Sequence, residues 1–407
     1  MKILRIIARL NVGGPARHVV WLTQALQGDG EESKLIAGTV PEGEEDMSYF
    51  AAEHGVEPIY IREMSRELSA KDAVSLWKVL KTIRAEQPDI IHTHTAKAGT
   101  VGRAAASIYK WFTPGTLIGR PRKVKVVHTF HGHVFHSYYG GLKTQIFIVI
   151  EKVLARFATD KIIVITPQQL REIHSDVGVG RKDQFEVIPL GIDLSKFDSS
   201  DESRREFRDE FGISDDTVLI GFVGRLTEIK NIPMLLNAAK VYLETVGVPT
   251  ARFIVVGDGH LRAELERMAE GLGLKEKVIF GGNREDLGRV YAGLDVLALT
   301  SLNEGTPLSV IEAMASHRPV IATLVGGVVD LLGTTDQEID GFSERERGIG
   351  VCSGDIDALA KGLIYLAKNE RLRFDLGNNG HQFAIDNYGK ERLISDIRSL
   401  YSRLLEK

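Results

Sequence analysis

Short apolar runs alternate with amphipathic stretches along almost the whole chain, and the alternation falls into two sets. The first set predicts strands at Ile3–Ile7, Lys34–Gly38, Ile90–His92, Lys125–His128 and Lys161–Ile165. Helical periodicity lies between them, at Pro15–Leu26 and Ala70–Glu86. The second set predicts strands at Val218–Val223, Phe253–Val256, Val278–Phe280, Val296–Leu299 and Pro319–Ala322. Runs this short and this apolar read as strands buried on both faces. Strands that alternate with helices predict an α/β fold with a mostly parallel, doubly wound sheet. Two sets predict two such domains, and 407 residues is a natural length for two. We place the first at 1–190 and the second at 191–389, with a hinge near Gly191. A last helix covers 390–407. Doubly wound sheets bind ligands beyond the carboxyl ends of their strands. The motifs that matter should therefore follow strands.

Composition narrows the class. A hydrophobic share of 43% with 26% charged residues is that of a globular protein. The net charge of -4 points neither to nor away from nucleic acid, and no nucleic-acid-binding motif is present. The single cysteine, Cys352, excludes an internal disulfide and a cysteine metal cluster. A reducing, cytoplasmic setting is expected. Met1–Leu10 is apolar but interrupted by Lys2, Arg5 and Arg9, so it reads as a strand and not as a signal peptide. The later run Ile146–Ile150 is far short of the roughly 20 residues that cross a bilayer.

The most informative segment is Ser301-Leu302-Asn303-Glu304-Gly305-Thr306-Pro307-Leu308, which leads into a helix predicted over Leu308–Ser316. Pro307 suits the first turn of that helix. The free N–H groups and dipole of the helix N-terminus suit a phosphate, with Thr306, Pro307 and Leu308 bordering the donor. Glu304 stands on the loop, and Glu312 lies about one turn inside the helix. Carboxylates accept hydrogen bonds from hydroxyls. One site could then hold a diphosphate and grip a sugar, which describes a nucleotide sugar. Acidic residues near a helix start also stabilise it with no ligand. The neighbouring residues decide between the two.

With Gly305-Thr306-Pro307 before it and Glu312-Ala313-Met314-Ala315 at its end, this segment resembles the Glu-x7-Glu hallmark of the retaining, family-4 glycosyltransferases. The resemblance spans nearly the whole chain and implies the GT-B architecture, two Rossmann-like domains facing across a cleft. It also implies that the last helix returns to the first domain. Gly224-Arg225-Leu226-Thr227-Glu228-Ile229-Lys230 follows a predicted strand, and the resemblance assigns the donor diphosphate to Arg225 and Lys230. A departing diphosphate gains negative charge, which basic side chains can stabilise in place of a metal. No metal or other cofactor is therefore expected. The one Asp-x-Asp, Asp355-Ile356-Asp357, is better explained as a helix cap. Gly281-Gly282-Asn283-Arg284 would border the nucleobase, with Arg284 on the donor. Gly257-Asp258-Gly259 lacks the third glycine of a dinucleotide fingerprint. After Gly326-Gly327 the family often places Glu, where this chain has Asp330.

On the acceptor side, Gly13 and Gly14 at the first strand–helix turn allow a close backbone approach to a ligand. His131, in His128-Thr129-Phe130-His131-Gly132-His133, matches the family's active-site histidine and would hold a sugar hydroxyl. The local spacing of the four histidines from His128 to His136 is not a strong metal pattern. His94 and Lys97 are expected to face the acceptor, Lys97 as a phosphate partner. From Ile90 to Ile150 there is no Asp or Glu. Within this span, 103–125 combines Trp111, Phe112, Leu117 and Ile118 with the basic cluster Arg120 to Lys125. Contact with an anionic membrane and a loop packed on its own domain share that signature.

The segments Asn11–His18, His92–Gly99 and His128–His133 resemble bacterial members that build cell-surface polysaccharide. The expectation is transfer of a sugar from a nucleoside-diphosphate sugar, UDP-linked by preference, to a hydroxyl of a glycan or lipid-linked acceptor. That acceptor would place the protein on the inner face of the cytoplasmic membrane. A nucleotide-sugar 2-epimerase of the same layout and a non-catalytic sugar-nucleotide binder are the rival readings. Turnover without acceptor marks the first, and donor binding without turnover marks the second.

Overall fold

The computed structural model describes residues 1–11, 14–28, 30–40, 46–64, 71–131, 141–197 and 200–406, excepting the side chains of 71 and 141–143. Gly13, His133 and His136 lie outside the described residues. The chain divides into two compact units, Met1–Ile192 with Lys390–Lys407, and Asp193–Gly389.

The first unit is built on seven strands: β1 Lys2–Ile7, β2 Glu32–Gly38, β3 Ile59–Ile61, β4 Ile90–His94, β5 Lys125–Thr129, β6 Lys161–Val164 and β7 Phe185–Val187. They pair in the order β3-β2-β1-β4-β5-β6-β7, every pair parallel. Both faces are covered, as such a sheet requires. Alternation along β1 shows the two layers. Leu4 and Ile6 enter one cluster with Val79, Ile83, Val101 and Ala105. Ile3 enters another with Leu22, Val127, Leu393, Ile397 and Tyr401. The helix Lys390–Leu405 is thus part of this unit's core, and Arg392 ties it to the carbonyls of Pro189 and Leu190 at 2.9 and 2.6 Å. Fully burying a leucine such as Leu393 contributes about 1.5–3 kcal/mol.

The second unit holds β8 Val218–Val223, β9 Ala251–Val256, β10 Val278–Gly282, β11 Val296–Leu299, β12 Val320–Thr323, β13 Thr335–Ile339, β14 Phe342–Arg345 and β15 Gly348–Val351. Their order is β10-β9-β8-β11-β12-β15-β14-β13. The last two pairings, β15 with β14 and β14 with β13, are antiparallel, and the rest are parallel.

In the parallel part of each sheet the strand order reverses once, between β1 and β4 and between β8 and β11. Loops leaving neighbouring strands at such a switch point diverge and open a crevice. The candidate residues collect at these two places. Among the described residues no helix is long and apolar enough to cross a membrane.

Candidate active site

At the switch point of the first unit, the chain leaves β1 and enters the helix Gly14–Ala25. A Cβ on Gly14 would meet nothing within 4 Å, so the backbone there faces open space. His18 lies one turn into this helix and is buried. His94 ends β4, and Thr95 after it has φ 67°, a strained value for a β-branched residue. Such strain turns the chain sharply into the helix Ala96–Trp111. His131 follows β5.

These elements bring three imidazoles together. His94 Nδ1 is 2.9 Å from His131 Nε2. The His18 ring meets that of His131 edge-on at 4.8 Å and that of His94 at 5.6 Å. Burial holds all three rings neutral: it lowers His131 to about 4, and His18 and His94 fall well below 6.5. The neighbouring rings add to the shift of His18 and His94. Both nitrogens of His18, Nε2 of His94 and Nδ1 of His131 are buried without a hydrogen-bond partner among the described residues. A buried polar atom left unpaired costs about 1–3 kcal/mol. Unprotonated imidazoles of this kind could meet hydroxyls, which can donate and accept in turn. One nitrogen from each ring lies within 4.8 Å of the others, so the trio could also hold a transition-metal ion. The local His128–His136 spacing did not reveal this set, because His18 and His94 come from two other elements. His18 stands four residues after Gly14, one helical turn on, and that spacing was its sequence signal.

His92 and His128 serve the scaffold. His92 bridges Tyr401 Oη at 2.6 Å and Thr129 Oγ1 at 2.7 Å. His128 Nδ1 meets Thr93 Oγ1 at 2.8 Å. Lys97, expected to meet an acceptor phosphate, lies inside the fold. Its side chain is buried, and Nζ lies 2.5 Å from Asp72 Oδ1. The charge is already compensated inside the fold.

In the second unit, four loops meet beyond the carboxyl ends of β8, β9, β11 and β12. The Gly224-Arg225-Leu226 loop is held by Gly224 N–H to Val256 O and Leu226 N–H to Asp258 O, at 3.0 and 2.9 Å. A Cβ on Gly257 would sit 2.0 Å from Gly224 O, which explains the Gly257-Asp258-Gly259 sequence without a dinucleotide. Likewise Cβ atoms on Gly326 and Gly327 would strike the carbonyls of Glu304 and Gly305 at 1.8 and 1.9 Å. Those glycines let backbone lie on backbone and fix the Glu304 loop. Asp330 is exposed on the helix Val328–Leu332.

Lys230 Nζ pairs with Glu304 Oε1 at 2.5 Å, and Ser301 Oγ donates to the same oxygen at 2.6 Å. Thr300 Oγ1 donates to Lys230 O at 3.0 Å, tying the two loops together. Arg225 is exposed and has no ion pair among the described residues. The helix after Glu304 runs Leu308–Ala315, and Pro307 is its cap residue with ψ 114°, one position earlier than the first-turn place expected. Thr306 Oγ1 is buried and unpaired just ahead of it. Glu312, inside the helix, accepts from the buried Tyr291 hydroxyl at 2.8 Å. Burial and the Glu312 charge push that phenol well above 10.

Arg284, expected on the donor, is engaged by carboxylates. Its Nε and Nη2 bind Asp286 at 2.8 and 2.7 Å, and Nη1 and Nη2 bind Glu210. Three nitrogens are engaged with two carboxylates, and the guanidinium lies beside Phe207 and Phe211. Asp355 accepts from Ala358 N–H at 2.9 Å, capping the helix Ile356–Lys368.

Two Rossmann-like α/β units, one offering unpaired imidazoles and the other a lysine, carboxylates and a helix start, define a glycosyltransferase of GT-B architecture. Residues 12–196 match the model described as Glycosyltransferase Family 4, and 203–383 match Glycosyl transferases group 1. The chain belongs to this glycosyltransferase family. It is 28% identical over 355 residues to the UDP-Gal:alpha-D-GlcNAc-diphosphoundecaprenol alpha-1,3-galactosyltransferase of Escherichia coli, covering 85% of this chain and 84% of that protein. It is 24% identical over 355 residues to the capsular polysaccharide biosynthesis glycosyltransferase CapM of Staphylococcus aureus, covering 86% of each. Among solved structures, Anabaena HepE in complex with UDP superposes with TM-score 0.77 at 20% identity, covering 99% of this chain and all of that one (100%).

Proposed function

We propose that this glycosyltransferase moves a sugar, with retention, from a UDP-sugar to a hydroxyl of a lipid-linked glycan during cell-surface polysaccharide synthesis. The observation that carries the reading is the Lys230–Glu304 pair beside the helix start at Thr306–Leu308, with Glu312 one turn inside. Lys230 and Arg225 would neutralise the departing diphosphate. Free N–H groups at Thr306 and Leu308 would donate to its oxygens, with Pro307 shaping the turn between them. Glu304 and Glu312 would accept hydrogen bonds from sugar hydroxyls. His131, aided by His94, would hold a sugar hydroxyl, since a neutral imidazole can donate or accept. In front-face transfer the bond from the anomeric carbon to the phosphate oxygen breaks, and one to the acceptor oxygen forms on the same side. The acceptor proton passes to the leaving phosphate oxygen. The basic side chains supply the charge a metal would otherwise supply, so the reaction is metal-independent. The relatives support the substrate classes: one is named for a galactosyl donor and a diphosphoundecaprenol acceptor, and one neighbour was solved with UDP.

The test is product analysis with a UDP-hexose, a polyprenyl-diphosphate-linked sugar and chelator. The expected product keeps the donor's anomeric configuration and forms only with acceptor. An inverted product would overturn retention, and loss of turnover in chelator would overturn metal independence. A donor isomerised without acceptor would make the protein an epimerase.

A further inference from the structure

The imidazole trio of the first unit has a capacity that the transfer reaction does not use. His18 stands on the helix after β1, His94 ends β4 and His131 follows β5. Parallel pairing of β1 with β4, and of β4 with β5, fixes where the three side chains start. One nitrogen from each ring lies within 4.8 Å of the others. His94 Nδ1 and His131 Nε2 are 2.9 Å apart. Two nitrogens on one tetrahedral ion, each about 2.0–2.1 Å from it, stand roughly 3.3 Å apart. The pair therefore has little to open. The His18 ring closes on it edge-on, 4.8 Å from the His131 ring and 5.6 Å from that of His94.

Hydrogen bonding separates this trio from the scaffold histidines. His92, two residues before His94, pairs both of its nitrogens. His18 is buried, and neither of its nitrogens has a hydrogen-bond partner among the described residues. For packing alone a phenylalanine would serve without that cost. Burial also keeps the three rings unprotonated, which is the form that coordinates a metal.

The donor set selects the ion. Three imidazoles suit zinc, copper or nickel, and no carboxylate or thiolate among the described residues joins them. Magnesium, calcium and manganese prefer oxygen and find none offered here. Three protein ligands leave the fourth position of a tetrahedral ion to water, as in an open zinc site. Arg5 and Arg392 act on His18 with positive charge, and they oppose a cation for the same reason. Binding should therefore be micromolar, weaker than that of a closed structural zinc site.

We propose that His18, His94 and His131 bind a divalent transition-metal ion, zinc by preference, and that its binding switches transfer off. The ion would take the His131 nitrogen that otherwise holds a sugar hydroxyl. The proton between His94 and His131 would move to the outer nitrogen of its own ring, so none need leave. An enzyme that needs no metal would thus be inhibited by one. The switch rests on the role proposed for His131, whereas the site does not.

The experiment uses the purified full chain stripped of metal. Zinc is titrated by calorimetry and cobalt by its visible spectrum. Turnover from a UDP-hexose to a polyprenyl-diphosphate-linked sugar is followed as free zinc rises. A single zinc ion per chain is expected at micromolar strength, with a four-coordinate cobalt spectrum that zinc abolishes and magnesium does not. His18→Gln and His94→Gln should each weaken zinc by at least roughly tenfold, since even outer-shell losses act on that scale. Unchanged circular dichroism and melting show that the variants fold. Turnover should fall as zinc binds and return with chelator. No zinc binding, or equal binding by both variants, overturns the site. Zinc bound with turnover unchanged overturns the switch. Absence of transfer even in chelator, with zinc binding intact, leaves the site standing and counts against the transferase reading on which the switch rests.

Discussion

The two switch points solve opposite electrostatic problems. In the first unit three buried rings meet with no charge at all. His18, His94 and His131 are kept neutral by burial, and four of their nitrogens lack partners among the described residues. In the second unit charge is abundant and paired: Lys230 with Glu304, and Glu312 with a tyrosine hydroxyl. Neutral, unpaired groups suit hydroxyls, whose hydrogen bonds can run either way. Paired charges suit a ligand that brings charge of its own, because a diphosphate can take over the lysine and release the carboxylate to a sugar. On the proposed reading, the same topological position carries two recognition chemistries.

The comparison breaks most visibly at His131. The variant His131→Ala should lower kcat by roughly 10²-fold, the scale of one lost transition-state hydrogen bond, while UDP affinity stays within about twofold. Equal losses in rate and affinity would assign His131 a structural role. The acid response should separate the units next. The histidine pKa values are depressed in the folded state, so below about 6.5 the unfolded chain binds protons that the folded rings refuse. Stability of the first unit should therefore fall as pH drops from 6.5 toward 4, by roughly 1 kcal/mol per pH unit per ring. Hydrogen exchange at the β1 and β4 amides measures it, and protection that is flat across that window would contradict neutral rings. The smallest effect belongs to Arg284. Arg284→Ala should cost about 1 kcal/mol of stability, as a partly exposed ion pair does, and leave UDP affinity unchanged. Weaker UDP binding in a calorimetric titration would return Arg284 to the donor site.

The sequence made the parallel core strands legible because they are apolar on both faces. It hid the others for identifiable reasons. β3 is a three-residue edge strand. β13, Thr335–Ile339, is exposed and polar throughout most of its length, and β15 carries Gly348 and Gly350 where strands usually carry large residues. Motifs within one loop, such as Glu304 to Glu312, were readable because their geometry is local. The imidazole trio was only half readable, since His18, His94 and His131 come from three elements that meet only through the strand order β1-β4-β5. At Lys97 and Arg284 residue type shows a charge but not its partner. Asp72 and Glu210 are remote in sequence and adjacent in the fold.

The central claim is that Lys230 neutralises a nucleotide diphosphate with no metal present. Calorimetric titration of the full chain and of Lys230→Ala with UDP, in chelator, tests it directly. The account predicts micromolar binding by the parent chain and a loss of about 1.5–3 kcal/mol in the variant, the value of a charge-assisted hydrogen bond. Equal affinity in the two proteins, or no binding until a divalent cation is restored, would contradict it.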